Sequence, residues 1–197
     1  MLGSMKQARA FLNPVVAATL TFASLCLGPA VLPLPAQAQE ADVELLLDQL
    51  ADPAQDRWMR IERQILNAWG QSGSASVDYL FQRGEAALQA GQAAEAIDHF
   101  SAVLDYAPDF AEAWNGRATA YFLANRMGQS LADIEQVLRL NPRHFGALAG
   151  LGIILEQLDR PEEALEAYRA SLAIHPHQQQ VVDSVRRLEL ASAGQSL

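Results

Sequence analysis

The chain has 197 residues, half of them apolar, with 14 basic against 23 acidic side chains and a net charge of −9. Such an acidic chain is repelled by phosphate backbones and by anionic lipid, which argues against nucleic acid and membrane surfaces as partners. With one cysteine, Cys26, it can form no internal disulfide and no multi-thiolate metal site.

Residues 1–38 read as an address label. Lys6 and Arg9 make a basic start, residues 15–27 form an uncharged apolar run, and Pro29, Pro33 and Pro35 precede Ala36, Gln37 and Ala38. This is the pattern of a secretory signal peptide with cleavage after Ala38. The apolar run is shorter than the ~20 residues of a bilayer span. Extension past Pro29 to Leu32 brings it close to that length, so a retained anchor stays open as the alternative. Leu25 before Cys26 argues against a lipoprotein signal. Cleavage would remove Lys6 and Arg9 but no acid, lowering the net charge from −9 to −11, and would leave no thiol and no segment for membrane insertion. The expected location is the periplasm or the exterior.

Residues 39–76 are predicted as a helical pair and a connector. An apolar helix over residues 43–50 stops at Asp52 and Pro53, and Trp58, Ile61, Ile65 and Trp69 then trace one helical stripe. The pair reads as a cap on the N-terminal end of a repeat array, or as a worn-down copy of its unit. Residues 71–76, QSGSAS, form a polar link.

From residue 77 onward the sequence has a 34-residue period. Gly84, Ala118 and Gly152 share one register; Leu80, Trp114 and Leu148 a second; Ala87, Tyr121 and Leu155 a third. Ala96, Ser130 and Ala164 are small, Phe100, Ile134 and Tyr168 are large, and Pro108, Pro142 and Pro176 close each copy. Within a copy the spacing describes two amphipathic helices, with turns at Gly91, at Asn125 and at Asp159, Arg160 and Pro161. Asp159 with Glu162 has the spacing of an N-cap, and Pro161 suits a first helical turn. The glycine of the first helix is expected to leave space for the large residue of the second.

The period and its W-x2-L-G-x2-Y, A-x3-F and closing-proline positions resemble the tetratricopeptide (TPR) repeat over residues 77–178, in copies 77–110, 111–144 and 145–178. Arg83 and Arg117 in place of an apolar residue, and Val103, Val137 and Ser171 in place of alanine, depart from it. The resemblance implies an all-α solenoid of three repeats. Residues 179–197 would add a closing helix, with Val181, Val185 and Leu188 on one face, and a frayed tail.

It also implies where a partner binds. The first helices of TPR repeats line a groove with positions 2, 5, 9, 12 and 13, which here are Asp78, Phe81, Glu85, Leu88 and Gln89; Glu112, Asn115, Thr119, Phe122 and Leu123; and Gly146, Ala149, Ile153, Glu156 and Gln157. The expected contacts are Asp78, Phe81, Glu85, Glu112, Asn115, Thr119, Phe122, Ile153 and Glu156. Some TPR domains clamp a terminal carboxylate with Lys and Asn at the fifth and ninth positions of the first repeat; Phe81 and Glu85 stand there instead. Four acids and no Lys or Arg at these positions point to a basic or neutral peptide or protein segment.

No chemistry competes with this reading. Gly146, Gly150 and Gly152 in HFGALAGLG come after no strand and lead to Ile153 rather than Lys, so they are not a phosphate loop. Gly146 and Gly150 answer instead to a tightly packed preceding repeat or to the close backbone of a partner. His175 and His177 lack further ligands for a metal. Asp98, His99 and Ser101 are neighbours on one helix and cannot converge as a triad. No catalytic residue, cofactor or metal is expected. The predicted function is an exported adaptor that holds another protein; the alternative is a permanent assembly subunit of an envelope complex, without a free groove.

Overall fold

The computed structural model describes residues 36–195, within one compact unit. The expected signal segment lies outside the described residues except for residues 36–38, which begin the first helix. All described elements are helical: α1 (Ala36–Leu50), α2 (Trp58–Trp69), α3 (Ala75–Gln89), α4 (Ala93–Tyr106), α5 (Ala111–Leu123), α6 (Met127–Leu140), α7 (Phe145–Gln157), α8 (Pro161–Ile174) and α9 (Gln179–Gln195). The helices α3 and α4, α5 and α6, and α7 and α8 pair as hairpins; α4 packs on α5, α6 on α7, and α9 closes on α8.

The three hairpin turns share one geometry. Gly91 (φ 71°), Asn125 (φ 57°) and Asp159 (φ 56°) take the left-handed conformation. In each, the next amide reaches back five positions: Gln92 N–H to Ala87 O at 2.9 Å, Arg126 to Tyr121 at 2.8 Å, and Arg160 to Leu155 at 2.9 Å. This is a Schellman closure, which satisfies carbonyls at the helix end. Asp159 is therefore the C-terminal residue of that turn and not the N-cap expected of it. Arg160 takes the cap position, without a side-chain cap bond, and Pro161 stands in the first turn.

The small and large positions meet as the spacing predicts. A Cβ built on Gly84 would lie 2.6 Å from the Phe100 ring, and one on Gly152 would lie 2.4 Å from Tyr168. Phe100 also fills space against the next repeat, because a Cβ on Gly116 would stand 2.5 Å from the same ring. Phe100 and Tyr168 are buried, so neither ring has room to yield. The second repeat carries Ile134 at this position, and a Cβ on Gly150 would meet its Cδ1 at an ordinary 3.5 Å.

That difference sets the sign of two equivalent substitutions. Gly116→Ala is expected to cost about 1–3 kcal/mol by overpacking. Gly150→Ala is expected to stabilise by up to about 1 kcal/mol, the helix-propensity difference between the two residues. Urea denaturation of both variants measures this, and equal shifts of one sign would overturn the packing account.

The departures from the repeat are accommodated. Val103 and Val137 are buried, and Ser171 donates to Phe145 O at 2.8 Å while Ser130 donates to Ala118 O at 2.7 Å. Arg117 donates through Nε and Nη2 to Asp133 at 2.7 and 2.9 Å and through Nη1 to Ser101 at 3.1 Å.

The N-terminal pair departs from the expected cap. Instead of covering the outer side of the first repeat, α1 and α2 cross to the closing turns of the second and third. Leu47, Leu50, Ile61 and Ile65 bury themselves with Phe145, at the start of α7, and Ile174, at the end of α8. Arg143 pairs with Glu44 at 2.6 Å and Asp48 at 2.9 Å. The stripe names the buried face of α2; its receiving surface lies far along the chain, where no local pattern points.

Candidate partner-binding face

The first helices α3, α5 and α7 contact one another in series and carry the expected binding positions. Phe81 is not among the available ones. It is 5% exposed and packs at 5.0 Å from Phe110 and 5.6 Å from Phe100, ring centre to ring centre. A phenylalanine at this inward-turned position gains more by filling the hairpin than by facing solvent, so it supports the face from beneath. Phe122 is half-buried against the Ile134 cluster.

Three of the four acids already have partners. Asp78 accepts from Ser72 N–H at 2.8 Å and Ser72 Oγ at 2.6 Å, fixing the connector to α3. Glu112 lies 2.8 Å from His144 Nε2. Glu156 accepts from Tyr168 Oη at 2.7 Å and from Arg187 Nη1 at 2.6 Å. Arg187, from α9, thus brings a positive charge to a face whose own helices supply none at the binding positions. It holds the Glu156 carboxyl below its usual range, while burial and then Glu156 push the Tyr168 phenol upward.

Glu85 is the remaining acid, exposed and without a salt-bridge partner among the described residues. Partial burial and then the charge of Glu112 raise its pKa. Beside it, Asn115 Nδ2 donates to Glu112 at 3.4 Å and Thr119 Oγ1 donates to the Asn115 carbonyl at 3.0 Å. Leu123, on the same helix as Asn115 and Thr119, is 56% exposed, and Ile153, on α7, 45%. Glu85, Asn115 and Thr119 therefore gather on the first two repeats, while Ile153 stands apart on the third.

There the strap formed by α1 and α2 reaches the face. Trp58 and Glu62 of α2 line a cleft of about 530 Å³ together with Ala149 and Ile153 of α7 and Val181 and Ser184 of α9. Sequence reasoning misses Glu62, His144 and Arg187 at this edge. His144 occupies the residue before α7, where its Nδ1 accepts from Ala147 N–H at 3.0 Å as an N-cap. A polar residue immediately ahead of a predicted first helix is the available signal.

The histidines and serine set aside in the sequence take structural contacts. His99 lies near Glu95, Ser101 accepts from Arg117, and His177 stacks on Trp58 while His175 is tilted against the same ring, 6.1 Å from His177. Among the described residues no group of three or more His, Cys, Asp or Glu is placed to hold a metal ion, and no helix is long and apolar enough to cross a membrane.

The family model for the tetratricopeptide repeat matches residues 81–133 and 124–178. A TPR repeat-containing protein of Rhizobium etli is 33% identical over 180 residues, covering 82% of this chain and 87% of that protein. The chain belongs to the tetratricopeptide repeat family. Hsp70-Hsp90 organizing protein 1 of Glycine max is 29% identical over 93 residues, which span 47% of this TPR chain but 16% of that protein. The first TPR of Spaghetti (RPAP3), solved bound to the HSP90 peptide SRMEEVD, superposes with a TM-score of 0.57 at 25% identity, covering 59% of this chain and 93% of that one. MamA superposes with a TM-score of 0.57 at 18% identity over 72% of this chain and 85% of its own, a likeness of fold. The TPR solenoid and a role in protein-protein interaction follow from this membership.

Proposed function

We propose that this protein is an exported, non-enzymatic TPR adaptor of the cell envelope that holds a basic or neutral segment of a partner protein on the face of α3, α5 and α7. The observation that carries the reading is the cluster of Glu85, Asn115 and Thr119. It combines a charge with no ion-pair partner among the described residues, an amide able to donate and accept, and a hydroxyl, with exposed Leu123 on the same helix as the last two. Export rests on the basic start, the apolar run and the Ala-x-Ala motif at residues 36–38. The RPAP3 domain takes a peptide ending in two glutamates, a valine and an aspartate; Phe81 and Glu85 here make a poor receptor for such an end.

In-cell crosslinking with mass spectrometry identifies the partner, and fractionation tests export. Glu85→Lys is then expected to weaken capture by about 3- to 10-fold, and added salt to weaken the wild type. Glu85 is the informative position, because reversing Glu112 would also break its contact with His144. Capture indifferent to both charge and salt would remove the electrostatic part. Purification only as a fixed hetero-complex would favour the assembly subunit instead.

A further inference from the structure

Three of the four histidines in the sequence lie beneath the strap, on the closing turns of the second and third repeats. His144 is 2% exposed, stacked at 4.7 Å on Trp69. Its Nδ1 accepts the Ala147 N–H, so in that arrangement the ring proton sits on Nε2 and points to Glu112.

His175 is 1% exposed. Its Nε2 lies 3.3 Å from Glu62 of α2, its Nδ1 is buried without a hydrogen-bond partner, and Trp58 and Phe145 pack on the ring at 5.7 and 5.0 Å. A proton added at Nδ1 would be a buried donor with nothing to accept it. His177 stacks nearly parallel on Trp58 at 5.1 Å, with Nε2 3.3 Å from the Asp52 carbonyl. The charged groups around these rings are Glu112 from α5, Glu62 from α2, and Arg143 with its α1 partners Glu44 and Asp48.

We propose that α1 and α2 form an acid-released strap, seated on the repeats while the buried ring of His175 is neutral and freed when its Nδ1 takes up a proton. The carboxylate of Glu62 opposes release, because it would attract an imidazolium at His175. At His175 burial decides the balance: it outweighs the pull of Glu62, and the neighbouring His177 acts in the same direction as burial, so the ring is held below its ordinary value of 6.5. The freed strap therefore binds this proton more readily than the seated one. Seating is at full strength above the ordinary value and weakens as pH falls through 6.5. This release requires no partner on the groove and is independent of the adaptor reading.

Hydrogen exchange read by mass spectrometry on the full chain, corrected for intrinsic rates, tests it at about pH 7.5 and about pH 5.5. The expected result is that α1 and α2 lose several-fold, up to about tenfold, in protection relative to α5 and α6 on acidification. The His175→Gln variant is expected to lose that response, since glutamine does not titrate in this range. A constant ratio in the wild type, or the same acid response in a folded variant, overturns the proposal. If the variant does not fold, imidazole titration by NMR decides: His175 should titrate together with strap release, and release at a pH where no histidine titrates overturns it.

Discussion

Phe100→Ala is expected to destabilise the protein by about 3–5 kcal/mol, the range for emptying a large aromatic site in a core. The ring is fully buried and serves two repeats at once, lying against Gly84 within its hairpin and Gly116 of the next. Truncation thus removes contacts from both sides, and the two glycines, having no side chains, cannot fill the void. The coupling is as informative as the loss. Gly116→Ala should be unfavourable in the wild type, by about 1–3 kcal/mol, and favourable in the Phe100→Ala background, where the clash is gone and alanine's helix propensity remains. A double-mutant cycle in urea measures both. A loss below about 1 kcal/mol for Phe100→Ala, or a Gly116→Ala penalty that persists without the ring, would show that the glycines are not there for it.

Asp133→Ala is expected to cost about 3 kcal/mol or more, because it strands a charge rather than merely removing a contact. Asp133 is 5% exposed and takes both bonds of the Arg117 fork. Its hydrogen bonds raise the Arg117 pKa further, against the opposing effect of burial. The guanidinium also lies 4.7 Å from the Trp114 ring centre and bonds Ser101 of α4, so it joins three helices. Replacing both partners, Arg117→Met with Asp133→Leu, is expected to recover most of the loss, since an apolar pair of similar volume needs no compensation for buried charge. Thermal and urea unfolding of the two variants beside the wild type check this. A double variant no more stable than Asp133→Ala would indicate that the arginine acts mainly through its stack on Trp114.

Much of the fold is legible in the sequence because a 34-residue period repeats its chemistry at every copy. Gly84 with Phe100 and Gly152 with Tyr168 can be paired from spacing alone, since both members belong to one hairpin. Gly116 is harder: its large neighbour belongs to the preceding repeat, although its register with Gly150, one period on, is visible. The candidate face is legible as a set of positions but not as a set of free groups. Whether Asp78, Glu112 and Glu156 are available depends on Ser72, His144 and Arg187, which reach them from outside the repeat pattern. Phe81 shows the same limit, because a position number does not say which way a particular side chain gains more by turning. The seat of the strap is least legible of all. Amphipathic spacing gives a buried face and leaves its counterpart open.

The strap changes how unfolding should spread. A run of stacked hairpins, each touching only its neighbours, melts by fraying from its ends. Here Arg143 meets Glu44 across 99 positions and His177 meets Asp52 across 125, so early residues fasten late ones. The later hairpins gain a clasp that the first lacks, and α3 with α4 becomes the natural place for loss of structure to begin. Forming the clasp means closing a long loop, so the last step of folding should be slower than the local zipping of the hairpins.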